Sequence, residues 1–133
     1  MHEQRILQAV VAAACLVPIL GGGSGVLLGP AFVKAMPASA FADSHYRYLS
    51  GLLLAIGILF LGTLPRIEAR TARFRLLAGI VVIGGLARLA GLLLHGEADL
   101  AVLFALVMEL GVTPALVVWQ SRVAAAHRRL TGC

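Results

Sequence analysis

The stretch GGLARLAGLLLHGEADLAVLFALVMELGVTP, residues 84–114, decides the fold. It consists of two apolar runs separated by HGEAD, with one charge inside each run, Arg88 in the first and Glu109 in the second. Strands do not explain it, because polarity does not alternate with a period of two and the runs exceed ordinary strand length. As helices rising about 1.5 Å per residue, the two runs, followed back to Phe74 and on to Trp119, are long enough to cross a hydrocarbon core of about 30 Å. HGEAD is then a short connection, which makes the two helices antiparallel neighbours.

Outward from this pair the same reading repeats. Apolar segments cover residues 6–28, 46–64, 74–94 and 100–119, each spanning about 28 to 35 Å as a helix. Composition agrees: 60% of the residues are hydrophobic and 13% charged, and mean hydropathy is +0.96, outside the range of soluble domains. The 133 residues are expected to hold one membrane domain, residues 1–133, and no second domain. Backbone groups in lipid must be satisfied within their own segment, so the expected class is all-α, a four-transmembrane-helix bundle.

The net charge of +5 does not point to nucleic acid, because the arginines gather at the ends of apolar runs. Arg5, Arg66, Arg70, Arg73, Arg75, Arg122, Arg128 and Arg129 lie on one side of the spans, and Lys34 and Arg47 on the other. This asymmetry places the N and C termini in the cytoplasm, with Gly29 to His45 and His95 to Asp99 outside. Tyr46 and Tyr48 then form an outer aromatic belt, and Trp119 anchors the inner interface. The opening MHEQRILQAVVAAAC has some signal-peptide features, but the apolar run continues through LVPIL, so an uncleaved first helix is the better account. Cys15 and Cys133 lie at different depths and read as free thiols.

The connections carry ordinary punctuation. Pro65 opens the basic turn PRIEARTAR, and the longer GPAFVKAMPASAFADS ends in Asp43 and Ser44, either of which can cap the second helix. ILGGGSGVLLG faintly echoes IGGLARLAGLLLHG, as a parallel repeat of two hairpins would, although chance similarity between Gly- and Leu-rich segments explains it more simply. GGGSG lacks the preceding strand and following lysine of a phosphate loop, so helix packing is its expected role.

A charge near mid-bilayer costs about 2.5 to 3.5 kcal/mol on an insertion scale, so Arg88 and Glu109 are not expected to stand alone in lipid. Arg88 lies about 9 Å below the outer end of its helix and Glu109 about 14 Å below its own. Side chains bridge that difference, and an ion pair between them is expected. Gly84, Arg88, Gly91 and His95 form one small-residue stripe on the third helix, and Ala105, Glu109 and Thr113 share a face of the fourth. Pro114 frees the Leu110 carbonyl and kinks the helix there. Arg47, Gly51, Ala55, Ile58 and Gly62 make a similar stripe on the second helix. Together Tyr46, Arg47, Arg88, Glu109 and His95 form a candidate ligand-binding cluster in the outer half, with the positive excess that suits a carboxylate or phosphate head group.

Weighed against this, a buried Arg and Glu pair can be interhelical glue. His45, His95, Glu97 and Asp99 could hold a metal, but no spacing matches a ligand motif, and no metal or cofactor is expected. The leading functional expectation is a non-enzymatic multi-pass membrane protein that binds or carries a small amphipathic or anionic molecule, or serves as an accessory subunit. The alternatives are a membrane enzyme on a lipid or isoprenoid-like substrate, with Glu109 as acid or base, and a purely structural bundle. Expected partners are the lipid bilayer and such a small molecule. Nucleic acid is not expected, and the sequence names no protein partner.

HYRYLSGLLLAIGILFL with its following basic turn, GGLARL, and MELGVTP resemble a family of small bacterial four-helix membrane proteins known only as a domain of unknown function. The likeness runs from the first helix to Trp119 and rests on residues 45–51, 84–89, Glu109 and Pro114. It implies a multi-pass protein of the bacterial inner membrane, related in fold to DoxX-like families, and it brings no assigned reaction.

Overall fold

Apolar runs bounded by capping residues become long helices. The computed structural model describes residues 2–32, 39–96 and 99–131; Glu97, Cys133 and residues 33–38 of the 29–45 connection, Lys34 among them, lie outside the described residues. Helix α1 covers His2–Leu28, α2 Ala40–Leu61 and α3 Thr71–His95. The fourth span starts as α4, Leu100–Leu106, widens into a π-helix over Val107–Val112, and continues as α5, Thr113–Thr131. Short 3-10 turns occupy Gly29–Phe32 and Leu64–Arg66. No strand occurs among the described residues. The class is all-α, and four helices are long and apolar enough to cross a membrane, so the chain is a multi-pass membrane protein.

Boundaries differ from the expected ones where local chemistry adds turns. Helix α2 begins at Ala40 because Ser39, in extended conformation, accepts a hydrogen bond from the Ala42 N–H through its hydroxyl oxygen; neither Asp43 nor Ser44 is the cap. The fourth span outruns Trp119 by a further twelve residues to Thr131, since RVAAAHRRL is rich in strong helix formers. The HGEAD connection is closed at both ends: Gly96, at φ +72°, caps α3 in the left-handed conformation, and the Asp99 carboxylate accepts from the Val102 N–H.

The chain divides into two compact units, Gln8–Leu64 and Met1–Leu7 with Pro65–Cys133. The first is the antiparallel hairpin of α1 and α2. Its helices approach through glycine, as GGGSG foreshadows: a Cβ on Gly22 would stand 2.5 Å from the Leu54 nitrogen and 2.7 Å from the Ser50 carbonyl oxygen. A Cβ on Gly25 would overlap the Ser50 side chain, and one on Gly57 would stand 2.8 Å from Ile19. Such backbone proximity is how helices associate where lipid removes the hydrophobic drive. The small-residue stripe proposed for α2 is therefore displaced: Gly51 makes only ordinary contact, and Ser50 and Gly57 line the interface. Lower in this hairpin, Gln8 Nε2 donates to the Leu64 carbonyl at 2.6 Å.

The second unit is held by α3 against the fourth span. Leu7, Ile67, Phe74, Leu77, Ala78, Val123 and Ala124 are buried, all in the half that carries the arginines. Gln120 is wholly buried among them and donates Nε2 to the Ile67 carbonyl at 2.7 Å and to Thr71 Oγ1 at 2.9 Å. Arg75 donates to Ser121 Oγ at 2.9 Å, and Gln4 Nε2 to the Glu68 carboxylate at 2.7 Å. The Gln120–Thr71 and Arg75–Ser121 bonds join α5 to α3 directly.

Candidate functional site

Further along the same pair of helices, Arg88 meets Glu109. The guanidinium donates Nε to Oε2 at 3.0 Å and Nη2 to Oε1 at 3.1 Å, the parallel two-bond geometry that is strongest for this pair. The expected ion pair is present. Its two members are unequally covered, the Arg88 side chain being 41% exposed and that of Glu109 15%. Glu109 is therefore the embedded anchor and Arg88 the approachable member.

Gly85 makes this meeting possible. A Cβ there would stand 2.8 Å from Glu109 Cβ and 2.9 Å from Leu110 Cδ2, so only glycine lets α3 come this close. Gly84 and Gly91 have nothing within 4 Å of such a Cβ, which corrects the stripe read from the sequence. The long Arg88 side chain reaches sideways, so its own position on the helix does not mark the packed face. The interface runs instead through Phe74, Ala78 and Gly85, at helical intervals of four and seven.

Glu109 lies within the π-helix that precedes Pro114. The proline ring would clash with the carbonyl four residues back, and a wider turn relieves that clash. Thr113 closes it, its N–H bonding to the Met108 carbonyl five residues earlier and its hydroxyl donating to the same oxygen at 2.8 Å. The disturbance expected at Pro114 is thus a change of winding.

Arg47 and Tyr46 belong to the hairpin unit, where Arg47 has a local role. Its Nε donates to the Asp43 carboxylate at 2.9 Å, and its Nη1 to the Val26 carbonyl at 2.6 Å. Arg47 thereby supplies a cation and donors to the carbonyl end of α1, where both are favourable. Gly29, at φ +63°, turns the chain beneath it; a Cβ there would stand 2.7 Å from Arg47 Nη2. Tyr46 lies over Gly25. His45 stacks on Phe41, with centroids 5.8 Å apart. His95 is exposed in the last turn of α3. Asp99 is a helix cap, and Glu97 lies outside the described residues. Among the described residues no three His, Cys, Asp or Glu side chains converge as metal ligands would.

The structure thus joins two of the five expected site residues directly, Arg88 and Glu109. Sequence reasoning missed Gly85 and Asp43. The GG doublet at 84–85 and the four-residue spacing of Asp43 and Arg47 were their available signals.

Comparison with known proteins adds a family and no activity. Neither the search of curated proteins nor that of solved structures returned a match. The profile of one family matches residues 6–120, which takes in both helical units, the Arg88–Glu109 pair and Pro114. The chain accordingly belongs to the family described as Domain of unknown function (DUF4345).

Proposed function

We propose that this protein binds the polar head of an anionic amphipathic molecule at the Arg88–Glu109 pair. One observation carries the reading. The pair occupies Nε and Nη2 of Arg88, whereas Nη1 has no acceptor among the described residues and the side chain is 41% exposed. A guanidinium with an unused N–H edge inside a membrane span favours a carboxylate or phosphate oxygen, because lipid tails offer it no acceptor. Glu109 keeps the cation oriented and in place while leaving that edge available. Arg47, engaged by Asp43 and a helix end, contributes to the fold of its own hairpin in this reading.

Native mass spectrometry of protein extracted from membranes with mild detergent tests the proposal. A retained acidic lipid or lipid-like acid is expected on the wild-type chain. It should be lost from the Arg88→Gln, Glu109→Gln double variant, which keeps neutral hydrogen-bonding side chains. If the folded double variant retains the same molecule, or the wild-type chain retains none, the binding role fails and the pair is interhelical glue.

We further propose a bacterial inner-membrane location with both termini in the cytoplasm, an orientation that the arginine-rich ends of the spans support. Labelling of a single cysteine at position 70 by an impermeant reagent outside intact spheroplasts would overturn that orientation.

A further inference from the structure

The π turn around Glu109 opens a backbone acceptor beside the ion pair. In an α-helix the carbonyl of Glu109 would accept from the Thr113 N–H, but that N–H is bonded to the Met108 carbonyl. In π winding the donor would be residue 114, a proline, which has none. The Thr113 hydroxyl is taken as well, by the same Met108 oxygen. The Glu109 carbonyl is therefore left without either helical donor, at a depth where water is scarce and an unmade hydrogen bond is costly.

Two complementary groups thus belong to the two residues of this pair. Residue 109 presents a vacated carbonyl, and Arg88, held by the carboxylate of the same residue, presents the unused Nη1. We propose that the site takes a head group carrying an anionic oxygen with a hydroxyl close to it. The oxygen accepts from Arg88 Nη1, and the hydroxyl donates to the Glu109 carbonyl. A simple anion would leave the carbonyl unsatisfied, and a simple alcohol would leave Arg88 unsatisfied. Phosphoglycerol chemistry meets both demands, whether in a phospholipid or in free glycerol phosphate. This assignment rests on the anionic-amphipath reading above and names its chemical class.

The test uses the full chain in phosphatidylcholine nanodiscs doped with either phosphatidylglycerol or phosphatidylmethanol, with retention read by native mass spectrometry. Both dopants carry the same phosphodiester charge, and the second lacks the glycerol hydroxyls. Retention of phosphatidylglycerol should exceed that of phosphatidylmethanol roughly tenfold, as one well-made hydrogen bond allows. Pro114→Ala supplies the missing N–H and should bring the ratio toward one, while both lipids stay favoured over phosphatidylcholine. Displacement by added glycerol 3-phosphate would support the same chemistry with a soluble source, and resistance to it would assign the site to the lipid. Equal retention of both anionic lipids by the wild-type chain, or a ratio unchanged in a folded Pro114→Ala variant, overturns this inference and leaves the anion reading intact. Absence of any preference over phosphatidylcholine removes both. Since the lipid comparison is made on the unaltered protein, it stands even if the variant does not fold.

Discussion

Alanine at two adjacent glycines of α1 should act in opposite directions. A Cβ on Gly22 would stand 2.5, 2.7 and 2.9 Å from Leu54 N, Ser50 O and Leu54 Cα, all backbone atoms, whereas one on Gly23 meets nothing within 4 Å. Restoring ordinary contact at Gly22 requires the helices to part by about 1 Å, because carbon contacts are optimal near 3.5 to 4.0 Å. Overpacking of this kind costs about 1 to 3 kcal/mol. Against that, alanine is favoured over glycine inside a helix by about 0.5 to 1 kcal/mol, and at Gly23 this gain is unopposed. Gly22→Ala should therefore lose up to about 2.5 kcal/mol and Gly23→Ala gain about 0.5 to 1, a gap set by the overpacking cost alone, about 1 to 3 kcal/mol. Equilibrium unfolding in mixed micelles with increasing dodecyl sulfate measures it. In a Cys133→Ser background, Cys15 provides the probe: its side chain is buried at 4% exposure in the same hairpin, so pulsed thiol labelling reports opening. Should the two variants fall within about 0.5 kcal/mol of each other, glycine-mediated approach is not what holds this hairpin.

Substitutions at two further positions probe the second unit. Gln120→Leu removes two hydrogen bonds and strands the Ile67 carbonyl, but it also removes Oε1, which has no partner among the described residues; the net loss should be about 1 kcal/mol, rising to about 3 for Gln120→Ala, which adds a cavity. A leucine variant less stable than the alanine variant in a thermal melt would refute that account. Asp99→Ala should cost about 1 kcal/mol and speed hydrogen exchange at the Val102 amide, with Asp99→Asn restoring protection; an unchanged exchange rate would show that the cap contributes nothing.

The four spans were legible in the sequence because composition alone puts the chain in lipid, where length then dictates helices. The Arg88–Glu109 pair was legible for a related reason: two charges at similar depth on hairpin neighbours have few alternatives to each other. Other features depend on information that residue types do not carry. With glycines at both 84 and 85, only the packed face distinguishes them, and Arg88 was a poor guide to that face. Pro114 announced a disturbance without saying how the backbone would relieve it, and the π turn is one of several solutions. Arg47 looked like surplus positive charge in a count of side chains. Its acceptors include the carbonyl end of α1, which such a count omits.

The winding of the fourth span has a mechanical consequence. From Thr113 the helix runs unbroken to Thr131, past the buried Gln120 and out to Arg128 and Arg129. Successive residues of an α-helix differ by about 100° in azimuth. Gaining or losing one residue of winding between Val107 and Val112 would therefore swivel the two halves of this rod against each other by about that angle. Torque generated at Glu109 could in this way turn the charged tip at the far end, some thirty ångströms distant by the rise of the intervening residues, without any sliding of the helix along its axis.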